Sequence, residues 1–232
     1  MKIIGLLVFL AALIVGSAAA AFMAFGRADF RLVKFSFNNN VQGSGNVIKE
    51  NRDIGEFDAI NVSGVFEVEF TAQKEYSVEV EADDNLMPIV RTEVKGGVLR
   101  ISNRDGISKY TRLLVRVSAP DLKSVKTSGA AKITVTDIKN SEFSVKSTGA
   151  SNVSVAGSTG ELDVDASGAA SINAAGLEAA TADIDASGVA KIEVSAAQKL
   201  KVDASGGSRI IYNGNPSDIQ KRTSGAASVS QK

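Results

Sequence analysis

Four aspartates are the residues of this chain whose type and spacing could carry chemistry. Asp163 and Asp165 alternate with apolar residues, and Asp183 and Asp185 do the same twenty positions later. On adjacent strands the four carboxylates would share one face, where they could bind Ca²⁺ or supply the acid and base of glycoside hydrolysis. Calcium needs six or more converging oxygens, which this pattern does not provide. The sequence therefore favours a solvated acidic face without a bound metal.

Lysines border these aspartates when the chain is aligned on its repeats. Lys146 precedes Asp165 and Lys201 follows Asp183, each by about one repeat. These lysines stand at the borders of the four aspartates, which is typical of a solvated face of mixed charge.

Composition removes most other kinds of catalytic or metal site. The chain has no cysteine and no histidine, so disulfides, thiolate metal sites and histidine-dependent triads are impossible. Its 26 basic and 26 acidic residues cancel, which leaves no overall field to attract nucleic acid. We therefore expect no catalytic residue, no cofactor and no nucleic-acid partner.

The chain repeats itself from residue 122 to residue 230. A Ser/Thr-Gly-small tripeptide occurs six times, with its glycines 18 to 20 residues apart at Gly129, Gly149, Gly168, Gly188, Gly206 and Gly225. Valine or isoleucine stands four residues after every glycine, and four before it in the first five repeats. These columns predict strands with alternate side chains turned inward, in units that stack on their neighbours. The predicted fold is all-β, a right-handed parallel β-helix or solenoid with coils of about 19 residues.

Each tripeptide is predicted to form a structural corner. Glycine permits a positive φ or a close approach of the next coil, and its small neighbours let coils nest. The hydroxyls would form a ladder or cap turns; they belong to Ser128, Thr148, Ser167, Ser187, Ser205 and Ser224. A serine nucleophile is not expected, because the hydroxyl recurs in every repeat without a histidine.

The last repeat departs from the pattern. Asn213-Gly214-Asn215-Pro216 is a strong turn signal, and Lys221 occupies an inward column. We predict that residues 213–232 form a frayed cap. Exposed strand edges invite pairing, so the solenoid ends are also expected to favour self-association.

Residues 1–26 form a targeting segment. The uncharged run from residue 3 to residue 25 has 23 residues, and a membrane-spanning helix needs about 20. Small residues from Ser17 to Ala21 also offer cleavage sites for a signal peptidase. The segment is therefore predicted to be a hydrophobic helix that serves as a signal peptide or an uncleaved membrane anchor. Residues 27–46 are predicted to be a polar connector.

Strands are also predicted between residues 47 and 121. Apolar residues alternate with polar ones around Ile60, Val68, Val78, Leu99 and Val115, which is the period of a half-buried strand. The stretch from Asp83 to Val90 is predicted to be one or two helical turns, with Asp83 and Asp84 as a solvated cap. Gly43-Ser44-Gly45-Asn46 is predicted to be a plain turn, because no GxxxxGK pattern follows it.

Several of these segments, in this order, resemble the family called putative auto-transporter adhesin, head GIN domain. They are Gly43 to Asn46, residues 57–68, Asp84-Asn85-Leu86 and residues 97–101, followed by the tripeptide repeats. The resemblance covers roughly residues 43–230. It implies an exported bacterial protein, built largely as a parallel β-helix and without established catalytic residues. We place this domain at residues 47–232.

These features predict a non-enzymatic module of the bacterial cell envelope that acts in adhesion or scaffolding. Its partner would be an envelope or surface protein or a glycan, and it would contact the membrane only through its N-terminal segment. The expected location is the periplasm or the cell surface, with an inner-membrane anchor if the leader is retained. Two alternatives stay open: a polysaccharide-processing enzyme that uses the four aspartates, and a membrane-anchored envelope sensor or assembly element.

Overall fold

A computed structural model describes residues 40–232, and all regular secondary structure in this range is β. The strands are β1 (Val41–Gln42), β2 (Val47–Asn51), β3 (Ala59–Gly64), β4 (Glu67–Thr71), β5 (Ser77–Asp83), β6 (Val90–Lys95), β7 (Val98–Asn103), β8 (Ile107–Lys109), β9 (Leu113–Ser118), β10 (Ser124–Gly129), β11 (Lys132–Ser147), β12 (Asn152–Gly168), β13 (Ser171–Gly188), β14 (Lys191–Ala204), β15 (Arg209–Asn213), β16 (Asp218–Thr223) and β17 (Ser228–Gln231).

The repeats form a β-solenoid of about five turns. Strands β11 to β14 are long and bent, so each contributes to two sides of its coil. Strand β12, for example, pairs with β13 in parallel over residues 152–154 and again over residues 161–168. Paired residues in successive coils are 17 to 20 positions apart, as in Val145 with Val164, Ile184 with Val202 and Val202 with Lys221. The predicted all-β solenoid is confirmed, and its right-handed winding stays a prediction.

The core consists of stacked apolar columns inside the coils. One column places Val145, Val164, Ile184 and Val202 on successive strands, each at most 1% exposed. Parallel strands lie about 4.8 Å apart, so column neighbours are in van der Waals contact. Each buried aliphatic side chain stabilises the fold by about 1.5 to 3 kcal/mol. The period of the repeat therefore decides which side chains meet.

The stack of coils begins before the repeats that the sequence reveals. Strand β3 pairs with β10 in parallel, with Ile60 beside Val125 and Gly64 beside Gly129. Strand β4 pairs in the same way with the first half of β11. Residues 59–71 are thus another coil, and the segment from 72 to 121 is inserted before the next one. Because of this insertion, Gly64 lies 65 residues before Gly129 and does not follow the even spacing of the repeats.

The inserted segment adds antiparallel pairing to the solenoid. Strand β5 pairs with β9 and β2, and β6 pairs with β7. The predicted helix between Asp83 and Val90 is wrong. The segment forms successive turns instead, in which the Asp83 carbonyl accepts bonds from the amides of Leu86 and Met87. Pro88 has no N–H to continue a helical ladder, which is a sufficient physical reason.

The predicted N-terminal hydrophobic helix of residues 1–26 lies outside the described residues, as do residues 27–39 of the predicted connector. At the other end of that connector, Val41–Gln42 forms strand β1 and pairs with β8. Within residues 40–232, no helix has the length and apolar character to cross a membrane.

The prediction of a frayed last repeat is wrong. Strand β16 pairs with β14 over six residues, and β17 pairs with β15 over four. Lys221 occupies the inward column, as expected, beside Val202. The strands form because their backbones complete the ladders of the preceding coil, although most of their side chains are exposed.

Candidate functional site

The four aspartates lie together on the outer side of β12 and β13. Asp163 is the register partner of Asp183, and Asp165 is the partner of Asp185. Adjacent parallel strands are about 4.8 Å apart, so the carboxylates form a two-by-two array, which we call the acidic face. Strand β14 continues the array by placing Asp203 beside Asp185.

Lysines on both sides neutralise half of the acidic face. Lys146 on β11 forms an ion pair with Asp165, and Lys201 Nζ on β14 lies 2.7 Å from Asp183 Oδ2. Hydrogen bonds to these carboxylates raise the pKa of Lys146 and of Lys201. Two of the four carboxylates therefore already have a cation in direct contact.

Asp163, like Asp185, forms no ion pair among the described residues, and it is the aspartate of the acidic face whose pKa is shifted. Partial burial, reinforced by the nearby charges of Asp183, Asp185 and Asp165, raises the pKa of Asp163 above its ordinary value. Both causes disfavour the ionised form. The negative charge of Asp163 is therefore poorly compensated in the folded protein.

Beside Asp163 the surface forms an open cleft of about 320 Å³. Its lining residues are Lys123, Glu142, Phe143, Ser144, Glu161 and Asp163. Lys123 forms an ion pair with Asp58, in which Lys123 Nζ lies 3.0 Å from Asp58 Oδ2. The cleft therefore offers mainly carboxylate and hydroxyl oxygens, which can accept hydrogen bonds from cationic or hydroxyl-bearing groups.

The acidic face gives limited support to metal binding or acid–base catalysis. In the described part of the chain, no three acidic side chains are grouped so as to hold a metal ion. A glycosidase needs one carboxyl that stays protonated and one free carboxylate. The raised pKa of Asp163 suits the first role, and Asp165 and Asp183 are each bound to a lysine, which within residues 40–232 leaves Asp185 as the unpaired carboxylate of the four.

A second cluster, absent from the sequence-based predictions, joins two distant motifs. The amides of Gly45 and Thr111 donate to the carboxylate of Asp83, at 2.7 and 2.8 Å. Ser44 Oγ and Asn46 Nδ2 donate to Asp84. We call this cluster the clasp, because it fastens residues 43–46 to the turn after β5.

The clasp corrects the prediction that Asp83 and Asp84 form a solvated cap. Asp83 is fully buried, whereas Asp84 is partly exposed. Burial alone would raise the pKa of Asp83, but backbone N–H donors from Thr111 and Gly45 outweigh it and lower the pKa. Both motifs were already part of the family resemblance, and their shared polarity was the available signal of contact.

An ion-pair network covers the outer side of β4, β5 and β9. Arg116 Nη1 lies 2.7 Å from Glu79 and 2.8 Å from Glu81, and its Nε lies 3.3 Å from Glu69. Hydrogen bonding to Arg116 lowers the pKa of Glu79 and of Glu81. The sequence predicted outward polar positions here, and the network results from the strand order.

The six corner glycines stand in a single file along the solenoid. The amide of the residue after each glycine donates to the carbonyl of the preceding glycine, as Ala150 does to Gly129 and Val189 does to Gly168. All of the six except Gly149 have a positive φ. A Cβ on Gly188 would lie 2.6 Å from the Gly168 oxygen, closer than side chains tolerate. Gly64 extends the file by one coil.

Two of the six corner hydroxyls contact the backbone of the preceding coil. Thr148 Oγ1 and Ser205 Oγ each lie 3.4 Å from a carbonyl of the preceding coil. A shorter hydrogen bond joins two buried hydroxyls, since Ser147 Oγ and Ser151 Oγ are 2.7 Å apart. These bonds are structural and bring no base to a hydroxyl.

Several solved bacterial structures share this fold. A putative adhesin from Bacteroides fragilis NCTC 9343 is 18% identical, with a TM-score of 0.67, over 83% of this chain and 100% of that chain. A putative adhesin from Parabacteroides merdae ATCC 43184 is 20% identical, with a TM-score of 0.54, over 83% and 99%. A putative lipid binding protein from Parabacteroides distasonis ATCC 8503 is 21% identical, with a TM-score of 0.52, over the same shares. At these identities the likeness shows the fold alone.

Sequence comparison adds the family. No curated protein matches this chain. The model of the family described as putative auto-transporter adhesin, head GIN domain, matches residues 56–216, which is more than half of the chain. This protein therefore belongs to the putative auto-transporter adhesin, head GIN domain family.

Proposed function

We propose that this chain is a non-enzymatic, adhesin-like module of the bacterial cell envelope, which binds a protein or glycan partner through the outer side of its solenoid. The family description and the neighbours described as adhesins support this proposal. The B. fragilis and P. merdae structures share the fold, and we extend their descriptions to this chain as part of the proposal.

The observation that carries the proposal is the register of the solenoid. Outward side chains repeat in line from coil to coil, as Lys146, Asp165, Asp185 and Asp203 do. A partner that lies along the stack meets a similar polar group about every 4.8 Å. Many weak contacts on a rigid surface add up, because little conformational entropy is lost when the partner binds. Such a surface suits adhesion or scaffolding.

The acidic face and its cleft are the part of this surface that we assign to the partner. Asp163 and Asp185 have no ion-pair partner among the described residues, so they are available to cationic or hydroxyl-bearing groups. Asp165 and Asp183 form ion pairs with Lys146 and Lys201, and these pairs would link β12 to β11 and β13 to β14. The partner is then expected to present amines, guanidinium groups or clustered hydroxyls.

Binding assays with matched variants test the proposal. The purified protein would be applied to bacterial cells, envelope proteins and glycan arrays, together with an Asp163→Asn/Asp185→Asn double variant. Glu93→Gln is the control, because it also removes an exposed carboxylate but lies on β6, far along the sheet order from β12. We expect about tenfold weaker binding for the double variant, which corresponds to about 1.4 kcal/mol of binding free energy. The control should bind as the unaltered protein does. A complete absence of binding would contradict adhesion.

Catalysis is the competing function, and a turnover assay separates the two. Turnover of acidic polysaccharides that Asp165→Asn abolishes would overturn the non-enzymatic proposal. Retention of the predicted leader would instead favour an anchored sensor or assembly element. N-terminal sequencing of the exported protein distinguishes a cleaved leader from an anchor, since a retained anchor keeps the residues of the apolar run.

A further inference from the structure

The last coil that the structure describes has two strands, each paired on one side only. Strand β16 pairs with β14 only, and β17 pairs with β15 only, among the residues that the structure describes. We call these two strands the terminal coil. Their outer N–H and C=O groups face away from the stack. Open edges of this kind can pair with another chain unless something prevents it.

A single lysine interrupts the core at the terminal coil. Its inward column runs through seven aliphatic residues, each at most 1% exposed, before reaching the lysine. In spatial order they are Leu99, Ile60, Val125, Val145, Val164, Ile184 and Val202, followed by Lys221. The charged residue thus stands where one more aliphatic side chain would continue the core.

The ammonium of Lys221 is held over this end. Its Nζ lies 3.1 Å from the hydroxyl of Tyr212 and 4.5 Å from the centroid of the Tyr212 ring. Ile219, two residues earlier on the same strand, is 42% exposed and covers the buried Leu200. The end of the solenoid therefore combines exposed apolar surface, open strand edges and one fixed positive charge.

Strand β16 is self-complementary if it pairs in antiparallel fashion with a second copy of itself. The two copies present their inward side chains on the same face of the joined sheet only when one residue lies directly opposite its own copy. Centred on Gln220, the pairing sets Asp218 opposite Arg222 of the second copy, and Arg222 opposite the second Asp218. Centred on Lys221, it would set two lysines opposite each other, which is unfavourable. Charge selects the first register.

We propose that Lys221 keeps this end of the solenoid from pairing with a second copy of the chain, and that loss of its charge converts the terminal coil into a dimer interface centred on Gln220. Pairing of two copies would remove both Lys221 ammonium groups from water. No carboxylate on the inward side of either strand β16 would compensate their charge. Uncompensated burial of charge outweighs the gain from edge pairing and from covering Ile219. An aliphatic residue at position 221 would remove that penalty and extend the column.

Cysteine cross-linking tests this proposal cleanly, because the full chain contains no cysteine. Gln220→Cys places one thiol at the centre of the proposed pairing, directly opposite its copy. With Lys221 present we expect little cross-linked dimer under mild oxidation. With Lys221→Ile added, we expect at least about ten times more. Lys221→Arg, which keeps the charge, should behave like the unaltered lysine. Ser144→Cys, in the same outward column on β11, is the control for random collisions.

Charge exchange tests the register. In the background of Gln220→Cys and Lys221→Ile, Asp218→Lys sets two positive charges opposite each other and should reduce cross-linking. Adding Arg222→Asp restores opposite charges and should restore the dimer. Equal cross-linking with and without Lys221 would overturn the proposal. So would a Lys221→Ile chain that keeps its circular dichroism spectrum and melting temperature but forms no dimer, or charge exchanges that have no effect.

Discussion

Alanine substitutions at four glycines would separate two reasons for glycine at the solenoid corners. A Cβ on Gly149 would lie 2.6 Å from the amide nitrogen of Gly129, yet Gly149 has no positive φ. Gly188 combines a φ of 84° with a Cβ position 2.6 Å from the Gly168 oxygen. Gly96 has a φ of 61° with open space around it, and Gly55 has neither constraint.

The expected losses follow from these two constraints. Forced displacement of packed atoms costs about 1 to 3 kcal/mol, and a left-handed backbone costs a residue with a Cβ about 1 to 2 kcal/mol. We expect Gly149→Ala to lower the free energy of unfolding by about 3 kcal/mol, which includes strain on the Ala150 to Gly129 hydrogen bond. Gly188→Ala should cost about 4 kcal/mol and Gly96→Ala about 1 kcal/mol. Gly55→Ala should change stability by less than about 0.5 kcal/mol.

Urea denaturation followed by circular dichroism measures these differences as shifts of the transition midpoint. Gly149→Ala is the decisive variant, because Gly149 has no positive φ and the approach of the neighbouring coil is the constraint that opposes a side chain. If Gly149→Ala and Gly55→Ala unfold at the same urea concentration, close stacking is not what requires glycine at the corners. If Gly96→Ala is as damaging as Gly188→Ala, backbone strain explains the whole effect.

Three further variants test the core, the clasp and the acidic face. Ile184→Ala should lower stability by about 2 to 5 kcal/mol, because it empties a fully buried place in the column, while Val189→Ala, at 70% exposure, should have little effect in the same urea titration. Asp83→Ala should cost about 3 kcal/mol at neutral pH by removing the acceptor of the Gly45 and Thr111 amides. Because the folded-state pKa of Asp83 is lowered, its contribution is present above the ordinary aspartate pKa and is lost as the pH falls, so wild type and variant should converge in acid melts. The pKa of Asp163 is raised, so its ionised form destabilises the folded state. Asp163→Asn should therefore raise the melting temperature at pH 7 by about 1 °C, which is small because solvent screens the side chain. The gain should vanish near pH 3, where the carboxyl is protonated in both the folded and the unfolded state. A gain that persists at pH 3 would rule out electrostatics as its cause.

Local pattern sufficed for the repeating part of the fold. Valine or isoleucine at a fixed distance from Gly149, Gly168 and Gly188 identified the inward columns, because a strand alternates its faces with period two. The equal spacing of those columns then required coils of 18 to 20 residues. The same alignment placed Asp163 beside Asp183 and Asp165 beside Asp185. These inferences succeed because each coil contacts only its neighbours, so sequence spacing translates directly into spatial proximity.

Contacts across unequal distances could not be read in this way. Gly64 pairs with Gly129 across a long insertion, so the regular spacing of the repeats does not predict this pairing. The bonds of the Gly45 and Thr111 amides to the Asp83 carboxylate also join segments that are irregularly spaced along the chain. Burial of Asp83 was likewise unpredictable, since an aspartate at the start of a predicted helix is usually a solvated cap.

The sequence by itself determined the all-β stacking, the coil length, the inward columns and the absence of cysteine and histidine chemistry, because these depend on residue identity and on short, regular spacing. Only the tertiary structure decided that Lys146 and Lys201 hold two of the four aspartates, that Arg116 gathers three glutamates, and that the last repeat forms strands paired with β14 and β15. Each of these depends on which strands become neighbours after insertions and bends, and on side-chain positions that balance charge against burial. Such balances are properties of the assembled surface and are not encoded in any one segment.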